Sequence, residues 1–344
     1  MRAAVFQGEG VVRLQDVPEP MVDAADEVVV EVEACGICGT DLQILNVPPG
    51  HPADRGVVMG HEFIGHVASL GPAARASGLS VGQRVVVDPD PKCGVCRFCR
   101  AGRPANCEDV RALGIFRDGA LARLTKAPAS SVFPLSEIPP TATAALIEPL
   151  ACVINGVNKV NPRPGESAII FGAGAIGCLF LAMFKAAGAG PIVVVEPQAG
   201  RAKVATAVGA DAVVAPDELP DRRAELLPAG ADVLVDAVGS QFATALDHAA
   251  LGGRIVLFGQ NLTAHPAIHQ YTITERSLSV FGSYVTAFTF PPAIRLVESG
   301  SLPLAPIVTH VLPLDRLADG LDLLRSGAAT KVVITPGGPD GPNR

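Results

Sequence analysis

Short apolar runs rich in valine and isoleucine, separated by Gly/Pro turns, fill the first part of the chain. Ala3–Phe6, Val28–Val32, Phe63–Val67 and Val85–Val87 read as strands, and their regular spacing suggests an antiparallel barrel or sandwich. From Asn161-Pro-Arg-Pro-Gly165 onward the pattern changes. Ala168–Phe171 is a strand that turns into a helical stretch, Ala175–Ala187. Then come a strand at Ile192–Val195, a helix at Arg201–Val208 and strands at Ala212–Val214 and Val233–Val235. A helix at Gln241–Ala250 precedes a strand at Ile255–Phe258. Strands alternating with helices imply parallel βαβ units. A helix at Pro291–Ser299 and a strand at Lys331–Ile334 close the chain, and the Gly/Pro-rich tail 336–344 reads as frayed. Ala168–Phe184 carries no charge, but it falls short of the roughly 20 residues a membrane span needs. It reads as a buried strand turning into a buried helix.

A chain of 344 residues holds about two domains. With 49% hydrophobic and 18% charged residues it has ample core material, which excludes a disordered chain. The net charge of −7, the absence of Trp and the lack of a long Lys/Arg run argue against a nucleic-acid partner. The first residues, Met1-Arg-Ala-Ala-Val-Phe-Gln, lack the apolar core of a signal peptide, so the chain reads as soluble and cytoplasmic, with no membrane partner. In a reducing compartment its eight cysteines suggest metal ligation rather than disulfides.

Gly172-Ala-Gly174-Ala175-Ile176-Gly177 follows a strand and opens a helix. Glycines at that spacing permit a tight turn and let backbone N–H groups approach a pyrophosphate at the helix N-terminus. Glu196, at the end of the next strand, is placed to accept the adenosine ribose hydroxyls and to repel a 2′-phosphate, which favours NAD; Arg201 leaves room for NADP. Cys93, Cys96, Cys99 and Cys107 form a second motif. Four thiolates so spaced can close around a tetrahedral zinc ion. Iron–sulfur ligation uses similar spacings. The charged loop around them (Lys92, Arg97, Arg100, Arg103) and the lack of a second cluster favour structural zinc, which would fold a lobe poor in apolar residues. Cys38, His61, Glu62 and Glu148 supply the thiolate, imidazole and carboxylate that an open catalytic zinc site uses, though spacing alone does not join them. Cys35, Cys152 and Cys178 read as buried thiols, and His66, His248, His265, His269 and His310 as ordinary structural or surface residues.

Cys38-Gly-Thr40-Asp41, Gly60-His61-Glu62, the four-cysteine lobe, Glu148-Pro149 and the glycine fingerprint occur together and in order. In this the chain resembles the zinc-dependent medium-chain alcohol dehydrogenases from Ala3 to Ile334. The resemblance implies an α/β architecture. A GroES-like antiparallel β catalytic domain would span 1–155 and 290–344, with a zinc lobe at about 88–110, around a Rossmann NAD-binding domain at 156–289. It implies two zinc ions, one catalytic on Cys38, His61, Glu62 and Glu148 and one structural. The reaction implied is hydride transfer from a secondary alcohol to NAD(P), with Thr40 starting a proton relay and Asp41 fixing the His61 tautomer. Members often carry a histidine three positions past the relay threonine; here Gln43 stands there, and an amide cannot be the terminal base. His51, Arg55, Phe116 and Arg117 are the substrate-contact candidates. The segment Cys38–Asp54 looks like that of 2-deoxy-scyllo-inosamine dehydrogenases, which oxidise an aminocyclitol during aminoglycoside antibiotic biosynthesis. Six of the 27 basic residues are Lys, an Arg bias that fits a GC-rich bacterial source. A polyol such as sorbitol, or L-threonine, is the alternative substrate, and an NAD-binding sensor with an inactive zinc site is the non-enzymatic one. A homodimer or homotetramer is also implied.

Overall fold

The computed structural model describes residues 1–337; the tail reading for 336–344 lies, from 338 on, outside the described residues. A first hairpin, β1 (Arg2–Gly8) and β2 (Val11–Asp16), stands apart as a two-stranded sheet. The strands β3 (Glu27–Gly36), β4 (Glu62–Leu70), β5 (Arg84–Val87), β6 (Leu124–Pro128) and β7 (Val132–Pro134) then form a mostly antiparallel sheet. The Rossmann strands are β8 (Ala168–Phe171), β9 (Ile192–Val195), β10 (Ala212–Val214), β11 (Ala231–Asp236), β12 (Ala249–Leu257) and β13 (Ser279–Gly282). Their order is β10-β9-β8-β11-β12-β13, every neighbouring pair parallel. That is the doubly wound arrangement, whose crevice at the β8/β11 switch point receives dinucleotides. The last strands, β14 (Val308–Pro313) and β15 (Lys331–Thr335), return to the first sheet, where β15 pairs antiparallel with β3 at Cys35 and Gly36. The end of the chain thereby reaches the back of the Cys38 loop.

Four helices position the site: α1 (Gly39–Ile44), α2 (Ile147–Val160), α3 (Ala175–Ala186) and α4 (Ala199–Val208). The pattern of hydrophobic positions does not reveal α2. Pro149 is tolerated in its first turn, but Asn155, Gly156 and Asn158 lower its propensity. Burial on nearly every face also removes the polar stripe that marks a surface helix. Leu146 to Val160 pack with Ile64 and Val86 on one side and Ile170 and Phe180 on the other, so one apolar cluster spans both sheets. A domain boundary at 155/156 falls inside α2; the chain turns only at Asn161, whose φ of 44° ends the helix. Strand β12 begins at Ala249, so the helix expected over Gln241–Ala250 is the shorter Phe242–His248. The uncharged stretch at 168–184 is β8 followed by α3, both buried, and no described helix is long and apolar enough to cross a membrane.

Candidate active site and zinc lobe

The end of β3 delivers Cys38 to the N-terminus of α1, where a capping box holds it. The Cys38 sulfur accepts the Thr40 N–H at 3.4 Å, and Asp41 Oδ2 accepts the Cys38 N–H at 2.9 Å. The start of β4 supplies His61 and Glu62, 6% and 2% exposed. One ligand atom from each of Cys38, His61 and Glu62 lies within 4.8 Å of the others. Asp41 stands behind the imidazole, its Oδ1 3.6 Å from His61 Nδ1. At that distance it makes an ion-pair contact rather than a hydrogen bond, and both atoms are buried without a partner. Burial alone would push His61 down, but Asp41 and then Cys38 outweigh it and raise the imidazole well above its usual range. A thiolate, an imidazole and a carboxylate brought this close together are the donors zinc takes. Zinc therefore fits.

Glu148, on α2, lies outside this tight trio. It lines the same cavity, and its carboxylate accepts the Cys152 thiol at 3.5 Å. Burial, then the neighbouring Glu62, pushes Glu148 up to about 8. The sequence does not point to Lys331. This lysine, buried on β15, donates to the Glu62 carboxylate and, at 2.9 Å, to the Ile37 carbonyl. Gly36 makes room for the pair, since a Cβ there would collide with the Glu62 carboxylate and the lysine stem.

The cleft in front of the trio has a volume of about 440 Å³. Thr40, Gln43, His51 and Phe116 line it, together with Asp90, Cys152, Tyr284 and, from the Rossmann side, Ile176. Arg55 and Arg117 do not. Arg55 is drawn away by a 2.7 Å hydrogen bond to the Gln7 carbonyl, and Arg117 borders a separate depression beside Met1 and Lys126. Neither arginine belongs to the cleft wall, which among the described residues contains no Lys or Arg.

Beyond β8, Gly172 has φ 93°, and a Cβ on Gly177 would collide with the Gly172 carbonyl, so helix and strand can pack only with glycine there. A Cβ on Gly174 would meet nothing within 4 Å, so the space over the uncapped start of α3, at Ala175 and Ile176, is open. These features fit a pyrophosphate. Glu196 is 6% exposed and accepts the Ala173 and Gln198 N–H groups, each at 2.8 Å. Arg201 is tied elsewhere, donating to the Ala329 carbonyl at 3.0 Å and the Leu324 carbonyl at 3.2 Å.

In the lobe, one sulfur atom from each of Cys93, Cys96, Cys99 and Cys107 lies within 4.8 Å of the other three. Backbone N–H groups of Cys93, Cys96 and Cys99 point at Cys107, Cys93 and Cys96 sulfurs at 3.3–3.4 Å. The N–H groups of Cys99 and Glu108 pull the Cys96 thiol down to about 6, while desolvation and the neighbouring sulfurs push the Cys99 thiol up. Cys35, fully buried, forms no disulfide.

Residues 24–137 match the alcohol dehydrogenase GroES-like domain, and residues 175–299 the zinc-binding dehydrogenase domain. A sorbitol dehydrogenase of Bombyx mori is 32% identical, aligned over 96% of this chain and 97% of its own. The chain belongs to the zinc-dependent medium-chain alcohol dehydrogenases. An L-threonine 3-dehydrogenase of Stenotrophomonas maltophilia is 34% identical over 94% and 95% of the two chains. Among solved structures, a zinc-binding dehydrogenase of Sinorhizobium meliloti bound to NADP superposes with a TM-score of 0.90 at 31% identity, covering 97% of this chain and 99% of that one. As a member of this family the dehydrogenase is an oxidoreductase acting on CH–OH groups, with zinc and NAD(P) as cofactors.

Proposed function

We propose that this dehydrogenase oxidises a ring secondary hydroxyl of an aminocyclitol of the 2-deoxy-scyllo-inosamine type, with NAD as hydride acceptor. The observation that carries the reading is the charge of the cleft wall. Apart from Glu62 and Glu148 at the zinc end, it offers one carboxylate, Asp90, neutral polar groups from Thr40, Gln43, Ser283 and Tyr284, and, among the described residues, no Lys or Arg. Such a wall suits a polyhydroxylated substrate that is neutral or cationic. It leaves the carboxylate of L-threonine with no fixed positive side chain as partner. A neutral polyol is the second reading, favoured by relatives whose names are sorbitol dehydrogenase and D-arabinitol dehydrogenase.

In this reading Cys38, His61 and Glu62 hold the catalytic zinc, with Glu148 beside them, and the four lobe cysteines hold the structural one. Gly172, Gly174, Ala175, Ile176, Gly177 and Glu196 receive NAD. The bound zinc supplies Lewis acidity toward the hydroxyl, and the nicotinamide supplies the hydride acceptor. Thr40 takes the hydroxyl proton and passes it toward the cleft mouth. Gln43 cannot finish that transfer, but His51 lines the same cleft. Its Nδ1 contacts the Pro52 carbonyl at 2.8 Å, which assigns the proton to Nδ1 and leaves Nε2 able to accept another. Lys331 balances Glu62, so the donor set carries less net negative charge than its residue types suggest. Glu196, with Arg201 tied away, favours NAD over NADP. A cytoplasmic homodimer or homotetramer completes the proposal, resting on the family resemblance.

The test is NADH formation by the zinc-loaded protein with 2-deoxy-scyllo-inosamine, sorbitol, myo-inositol and L-threonine. The aminocyclitol is expected to give the highest kcat/KM. A preference for L-threonine would overturn the charge argument, and tight NAD binding without reduction of NAD by any alcohol would favour the sensor.

A further inference from the structure

Of the three carboxylates on the cleft wall, two are committed. Glu62 is tied to Lys331, and Glu148 accepts the Cys152 thiol. Asp90 differs. It is only 6% exposed, yet among the described residues its carboxylate accepts no hydrogen bond. Lys92 lies 3.7 Å away, an ion-pair contact beyond hydrogen-bonding distance, and the lysine's own Nζ is buried without a hydrogen-bond partner. The neighbouring Asp88 is satisfied by contrast: it accepts the Asp90 N–H at 3.0 Å and the Thr286 hydroxyl at 3.2 Å. Two carboxylates against one lysine leave this corner with one net negative charge. Among the described residues the cleft wall supplies no Lys or Arg to meet it. Asp90 is therefore open to a donor carried by whatever enters the cleft.

We propose that Asp90 is a specificity residue that binds an ammonium group on the substrate, while the Cys38–His61–Glu62 end of the cleft handles the hydroxyl being oxidised. This rests on the dehydrogenase reading above and adds which side chain distinguishes an amine from a hydroxyl on the ring. A hydroxyl can also donate to Asp90. An ammonium makes a charge-assisted bond about twice as strong, and it cancels the corner's net charge. The same carboxylate repels an acid at that ring position.

The experiment compares 2-deoxy-scyllo-inosamine with the same ring bearing hydroxyl in place of the amine, on zinc-loaded enzyme. Both kcat/KM with NAD and calorimetric Kd without it are measured. The wild type is expected to prefer the amine. Asp90→Asn is expected to cut that preference about 10- to 100-fold, mainly in KM and Kd. Asp90→Glu, which keeps the charge, is expected to restore much of it. An Asp90→Asn/Lys92→Met double variant removes the lysine left without its counter-ion and is expected to behave like Asp90→Asn. Zinc content unchanged from the wild type shows that the lobe next to Lys92 is intact. Equal treatment of the two rings by the wild type, or a preference untouched by Asp90→Asn, overturns the anchor. If neither ring is oxidised but the binding preference exists and vanishes in Asp90→Asn, the anchor stands and the proposed reaction falls.

Discussion

At Val285 the backbone has φ 44°, a left-handed conformation that costs a β-branched residue on the order of 1–2 kcal/mol. Asn155, buried in α2, offsets part of this by donating to the Tyr284 carbonyl at 3.2 Å and the Val285 carbonyl at 2.8 Å. Tyr284 and Val285 both line the cleft, so the amide holds a strained stretch of wall between the cofactor and alcohol ends. Asn155→Leu is expected to raise KM for both NAD and alcohol about 10-fold, with kcat less affected, in steady-state kinetics. A variant that melts earlier but keeps both KM values would show that the amide only stabilises. The residues of this kind are the ones hardest to read from sequence. Asn155 acts on partners 129 and 130 positions away, and Lys331 on partners 269 and 294 positions away. By contrast Cys38, His61, Glu62 and the four lobe cysteines sit in short motifs whose donor types name their chemistry. Arg55 and Arg117 show the limit of placing a residue by loop position alone, since a single backbone hydrogen bond to Gln7 turns Arg55 out of the cleft.

Among the elements, the lobe is the one the proposed structural zinc would stabilise most. Between positions 91 and 110 only Pro104 is buried, so there is no apolar core to hold the segment. In the proposed reading, metal binding supplies that stability. Ala105, Cys107 and Val110 also line the cleft, which makes the lobe part of the substrate wall. Cys99→Ser is expected to lose one zinc per chain and to lower the melting temperature by about 5 °C. It should also expose Arg97, Arg100 and Arg103 to trypsin and raise KM for the alcohol more than for NAD. Unchanged proteolysis after zinc loss would show that the lobe folds without metal. Five of the six Rossmann strands were legible because buried parallel strands read as continuous apolar runs between helices, whereas the edge strand β13, with no buried residue, was not. Helix α2 was not, because it is buried between two sheets and shows neither a polar face nor strong propensity.

Across the whole molecule, the two sheets share a core through α2, and the chain's last strand returns to back the first metal-binding loop. The cleft therefore lies where both domains contribute wall, with Cys38, His61 and Asp90 from one side and Ile176, Val238 and Phe258 from the other. In the proposed mechanism Cys38, His61 and Glu62 hold a zinc ion that the reaction needs, separate from the ion that holds the lobe. The most direct measurement is zinc per chain and NADH formation on the same preparations of wild type and Cys38→Ser. The wild type is expected to carry two zinc ions. The variant should carry one, melt within a few degrees of the wild type and lose turnover by at least about 1000-fold. A variant that has lost the cleft zinc and still oxidises alcohol at the wild-type rate would contradict the account.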